Sequence, residues 1–259
     1  MQGYYAIVKQ EYRLLKQDLS ALVVLFIMPL LTLILMAPAM GAMLREQGVI
    51  KAQGVELALP AMTIMFGTLG AAFLGFSFFR EQQWQSWQRL RASPTSLWVI
   101  LVAKISLPLM LLWCQQLFLL SSVLVVYQPD LMLATLQKIE LLLAYCTIGF
   151  LYALNVISIG LLAAAFCHNV QQMNAFIHVI ALLLVASSCA FIPQTQLPDI
   201  LSHFVVFTPS FWMVEAQMGL LFNQRTLTSL IPIYCSAFLL SFILFLFGLN
   251  KFRQDERKR

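Results

Sequence analysis

The sequence predicts an all-α membrane protein with six transmembrane helices, an N-terminal interfacial helix and a short outer re-entrant helix pair between spans five and six. Three observations predict it. The chain is 61% hydrophobic and only 10% charged, with a mean hydropathy of +0.83, whereas a soluble domain carries about 25% charged residues. Apolar runs of about 20 residues recur, each long enough for a hydrocarbon core about 30 Å thick. Alternating stretches of about ten residues, the mark of a membrane barrel, are missing.

The elements follow in order. In residues 1–20, Ile7, Tyr12, Leu14 and Leu15 alternate with Lys9, Arg13 and Lys16 at helical spacing, so an amphipathic helix lies in the headgroup plane with its basic side chains on lipid. The apolar run behind it lacks a cleavage site and reads as a retained span rather than a signal peptide. Span one covers about 21–40, with Pro29 as a kink and Pro38 as its end, and a polar loop takes 41–56. Span two covers about 57–79 and carries Gly67, Gly70 and Gly75, which permit close helix approach. A polar island at 79–97 separates it from span three at about 98–126, which holds Pro108, Gln115 and Gln116. Span four, about 139–166, contains Asn155 and Ser158, and a polar link at 167–174 leads to span five at about 175–191.

The segment 192–226 is too apolar for a solvated loop. Pro198 and Asp199 open one short helix and Pro209 precedes a second; neither is long enough to cross a bilayer. Span six covers about 227–249, and a charged tail follows. The whole chain, 1–259, reads as one transmembrane domain.

Lysine and arginine set the orientation. Six spans place both termini, the island and the 167–174 link on one side, with twelve of the sixteen basic residues; only Arg45, Lys51, Lys138 and Arg225 fall on the other. The termini are therefore expected in the cytoplasm. Lys104 counts just inside span three, and moving it leaves the majority intact. The net charge of +5 is in this setting a topology signal and an attraction to anionic headgroups, not a nucleic-acid footprint. The five cysteines lack metal-ligand spacing and read as small packing residues.

Motifs of several enzyme classes are missing. The sequence holds no G-x-x-x-x-G-K-[ST] loop to grip a nucleotide, no H-E-x-x-H pair and no G-x-S-x-G elbow. Three residues are candidates for a substrate path: Asn155 inside span four, His178 inside span five, and Glu215 among apolar neighbours in the outer pair. Each also has a plainer reading in helix packing. Lys138 and Glu140 read as headgroup anchors, and Gln115, Gln116 and Asn155 as interhelical hydrogen-bonding groups.

On one helix, Arg80, Trp84, Trp87 and Arg91 share a face, because their spacings are 4, 3 and 4. The tryptophans fix that helix at the headgroup boundary, leaving Arg89 and the glutamines for a soluble partner. The run Gln88-Arg-Leu-Arg-Ala-Ser-Pro94 resembles the E-R-L-x-A-S-P signature of ABC-2 type transporter permeases, following a stretch from Glu81 to Ser86 similar to that family's R-E-x-G-T. Asn169-Val-Gln-Gln-Met173, and the order Phe191-Ile-Pro, Leu-Pro-Asp, Thr-Pro-Ser-Phe-Trp, resemble its second half. Gln88 departs from the family's acid, and Gln85-Ser86 from its Gly-Thr.

The resemblance implies the membrane subunit of a bacterial ABC exporter in the inner membrane. It implies a dimer with an identical or homologous permease subunit above two separate ATPase subunits, and a cargo that is amphipathic, lipid-like or glycan-type. ATP acts through the partner, and no cofactor is held by the chain itself. Residues 80–97 become a coupling helix in which Arg80, Glu81, Trp84, Trp87, Gln88, Arg89, Arg91 and Pro94 meet or transmit force from the ATPase. The rival class is an ion-coupled carrier working without an ATPase; it calls for ionisable groups at mid-membrane, where only His178 qualifies.

Overall fold

The computed structural model describes residues 2–17, 19–46, 48, 53–84, 86, 90, 92, 95–127, 139–191, 194, 197–222 and 227–257. Helix α1 (Gln2–Gln17) is the expected interfacial helix. It buries Ile7 and Glu11 and leaves Lys9, Arg13 and Lys16 outside. Tyr12, expected on the apolar face, is exposed, with the Lys16 ammonium 5.0 Å from its ring centroid.

Span one starts with a short helix, α2 (Ser20–Leu22), and a π-helical turn over Val23–Ile27. Pro29 cannot donate to the carbonyl one turn back, and the turn ahead of it widens. Helix α3 (Met28–Glu46) then runs through Pro38 instead of ending there. The residues beyond, Ala39 to Leu44, are apolar and still within the spanning helix, where a broken backbone ladder would find no water. The expected 41–56 loop shrinks accordingly, because α4 (Val55–Gln83) also starts early. Gly54 makes the tight return possible: its φ is +91°, and a Cβ there would overlap the Ala37 carbonyl and the backbone of Gly41. Glu56 is fully buried, and its carboxylate accepts from the Gly54 N–H at 2.9 Å and the Gln53 N–H at 3.4 Å, which satisfies donors at the helix start.

Helix α4 is the axis of the molecule. Its spanning stretch is 78% buried, against 11% for span six, and it packs against α3, α5 (Leu97–Val126), α6 (Ile139–Phe166) and α7 (Val170–Ser187). Its glycines each admit a different neighbour: Gly70 takes Leu112 of α5 and Gly75 takes Met173 of α7. Polar rungs lace the rest. Gln116 Nε2 donates to the Gly149 carbonyl at 2.9 Å and the Tyr234 hydroxyl to the Ala144 carbonyl at 3.3 Å. Gln115, expected to do the same, is buried with neither amide atom partnered among the described residues.

Span five begins earlier than the sequence reading has it. Asn169 accepts from the Gln172 N–H at 2.7 Å while the Gln172 side chain accepts from the His168 N–H at 3.0 Å. This reciprocal cap turns most of the expected link into helix. Beyond α7 lie α8 (Asp199–Val205) and α9 (Pro209–Leu221), bent 82° apart. They are the expected pair of short helices, and Thr208 caps the second through the Phe211 N–H. Helix α10 (Leu227–Arg257) carries span six and continues helical through most of the tail. The cysteines are free thiols, half-buried except for exposed Cys235.

Candidate functional site

Three helices meet at the end of the bundle that holds α1. On α4, Ser77, Arg80 and Glu81 lie three and four residues apart and so share one face. On α1, Glu11 follows Ile7 by one turn, which points the acid inward with the buried apolar side. On α5, Lys104 sits about two turns past the helix start, between buried Ala103 and Ile105.

These side chains form one cluster. The Lys104 ammonium is fully buried and spends its three N–H groups on Glu11 Oε1 at 2.7 Å, Ser77 Oγ at 2.8 Å and Glu81 Oε1 at 3.1 Å. The Ser77 hydroxyl donates to Glu11 Oε1 at 2.7 Å. Arg80 Nη2 donates to Glu11 Oε2 at 3.0 Å, and the Ser86 hydroxyl donates to Glu81 Oε2 at 2.9 Å. Among the described residues two cations face two carboxylates, so this set is neutral. That balance matters: an unpaired buried charge costs several kcal/mol, and removing one partner from a buried pair costs about 3–5 kcal/mol.

The arrangement has the character of a joint rather than of a reaction centre. It ties α1 to spans two and three, and through Ser86 reaches the chain beyond α4. A push on either the interfacial helix or the 84–97 stretch therefore bears on the same three helices.

The candidates read from the sequence are placed as follows. Arg80 and Glu81 lie on the last turns of α4, continuous with span two, and both are engaged in internal ion pairs. Trp84 stands exposed in the turn after α4, with the Arg80 guanidinium 5.6 Å from its ring centroid. Trp87, Gln88, Arg89, Arg91 and Pro94 lie outside the described residues. Asn155 is buried on α6, and its Nδ2 donates to the Leu151 carbonyl at 3.0 Å and across to the Ala237 carbonyl of α10 at 3.1 Å. It is a fastener between spans four and six, beside a narrow cleft with Tyr152, Trp212 and Tyr234. His178 is exposed on α7, and Glu215 is half-buried on α9. Three different helices carry these three residues, and neither His178 nor Glu215 lines the Asn155 cleft.

Sequence reasoning passed over Glu11, Ser77 and Lys104. A signal was there: Lys104 is an ionisable group in an apolar run, and Glu11 is the lone acid among residues 2–17, in register with Ile7 and Leu15.

Comparison with known proteins agrees with this architecture. The family model for the ABC-2 type transporter matches residues 2–222, which takes in α1, the first five spans and the outer helix pair. No curated protein and no solved structure matches the chain. With most of its length under that one family model, and the spans to match, the chain belongs to the ABC-2 type transporter family as a membrane permease subunit.

Proposed function

We propose that this permease works in an ATP-driven exporter. It takes an amphipathic, lipid-like or glycan-type substrate from the cytoplasm or inner leaflet, while two copies of a separate ABC ATPase subunit hydrolyse the ATP. A second permease subunit, identical or homologous, completes the transport path. The chain sits in a bacterial inner membrane with both termini cytoplasmic, and holds no nucleotide of its own.

The observation that carries this reading is the neutral buried cluster of Glu11, Ser77, Arg80, Glu81 and Lys104. It joins the interfacial helix to spans two and three next to the stretch with the family-like arginines. A lone carrier has no need of such a joint at one end of the bundle. An export subunit driven from below does, because force delivered at the membrane surface must reach several spans together.

The direct test is co-purification with the ATPase from a neighbouring reading frame, followed by transport in liposomes. Stable association and ATP-dependent transport are the expected results. Transport by the chain alone, driven by an ion gradient, would replace this reading with that of a carrier.

A further inference from the structure

A crevice of about 270 Å³ opens beside the ion cluster, in the corner where α1 turns into span one. Its lining is polarised along the membrane normal. Glu11, Ser77 and Arg80 line it toward the C-terminal end of α4, Phe76 lies at the level of Ser77, and Phe73 lies deeper along α4, with Leu111 on α5 about two turns beyond Lys104. From Arg80 to Phe73 is seven helical residues, or about 10 Å, roughly two-thirds of one leaflet's hydrocarbon depth. A charged rim over an apolar shaft of that depth has the polarity of a leaflet lipid, headgroup outward and chain inward.

From this geometry we infer that the crevice holds one anionic glycerophospholipid, its phosphate on Arg80 and an acyl chain along Phe73, Phe76 and Leu111. The ion cluster sets no net charge of its own: Glu11 and Glu81 are balanced by Lys104 and Arg80, so the carboxylates present little net repulsion, and the selecting positive charge comes from α1. Arg80 Nε has no hydrogen-bond partner among the described residues, and the Arg80 side chain as a whole is about one-third exposed at 32%. The outer face of α1 adds Lys9, Arg13 and Lys16, which concentrate anionic lipid at the mouth. The lipid acts as a wedge that holds α1 against spans two and three. That it belongs to the inner leaflet rests on the cytoplasmic placement of α1; the binding itself does not.

A second groove, of about 380 Å³ between α7 and α8, has no charged lining residue among the described residues and serves as the control. The chain, without an ATPase, is reconstituted in phosphatidylcholine nanodiscs with phosphatidylglycerol as the minority lipid, then released for native mass spectrometry. One retained phosphatidylglycerol per chain is expected. Leu111→Trp and Leu14→Trp fill the crevice from α5 and from α1 and should abolish retention at an unchanged melting temperature, whereas Leu201→Trp in the outer groove should keep it. Arg80→Gln should weaken retention about tenfold, as expected for the loss of a charge-assisted hydrogen bond. Should Leu111→Trp misfold, Leu14→Trp alone decides. Undiminished phosphatidylglycerol in a folded crevice-filled variant overturns the assignment, as does retention of phosphatidylcholine in proportion to its abundance. Because no ATPase is present, either outcome is independent of the exporter reading.

Discussion

Lys104 is a fully buried cation in an apolar helix, and its cost is met only because three acceptors surround it. Lys104→Met leaves Glu11 and Glu81 with one cation between them, and Glu11→Gln leaves the reverse imbalance. Each change alone is expected to destabilise the protein by about 3–5 kcal/mol. The Glu11→Gln, Lys104→Met pair restores neutrality, so its loss should fall well short of the sum. Thermal melts in detergent over the four-member cycle measure the difference, and simple additivity would mean that the two residues do not interact. Glu56 makes a similar point at the opposite end of the bundle. Glu56→Ala strands the buried Gly54 N–H, removes the acceptor of the Gln53 N–H and should cost about 1–3 kcal/mol. Neither site was fully legible in the sequence. Lys104 and Glu11 are 93 residues apart, so no periodicity links them, and charge counting places Lys104 on a side without saying what it touches. Arg80 and Glu81 were legible as important polar residues, but their pairing is a tertiary fact.

At the level of the element, the spans follow from hydropathy alone, because each must fill the same thickness with apolar residues. Their ends do not. Pro38 marks a helix end in water, yet α3 runs through it, since a membrane leaves the backbone no other partner. The start of α7 could have been read from Asn169 and Gln172, whose spacing is that of a reciprocal cap; a count of polar residues hides it. This boundary has a measurable consequence. Cys167 and Cys189 now flank span five at opposite ends, and burial raises both thiol pKa values. In variants keeping only one of the two, a membrane-impermeant maleimide should label Cys189 from outside the cell and Cys167 only after lysis. Because each raised pKa leaves less thiolate at neutral pH, labelling should keep accelerating past about pH 8.5, where an ordinary thiol levels off. Labelling of both from one side would remove span five.

For the molecule as a whole, α4 carries the packing while spans one, five and six keep long apolar faces outward. The ion cluster therefore acts on the central helix, and docking and transmission become separable. If the 84–97 stretch receives the ATPase and the cluster passes on its motion, Arg89→Ala with Arg91→Ala should abolish co-purification while the chain still inserts. The neutral Glu11→Gln, Lys104→Met pair should do the opposite: the ATPase stays bound, because its docking stretch is intact, but transport is lost as α1 and span three no longer move with span two. Association is read by pull-down, coupling by cargo-stimulated ATP hydrolysis and liposome transport. Transport at the wild-type rate in the neutral pair would reduce the cluster to a packing feature, and loss of binding there would make it part of the docking surface. Only retained binding with lost transport assigns it to the step between, where motion made by another chain becomes rearrangement of the spans.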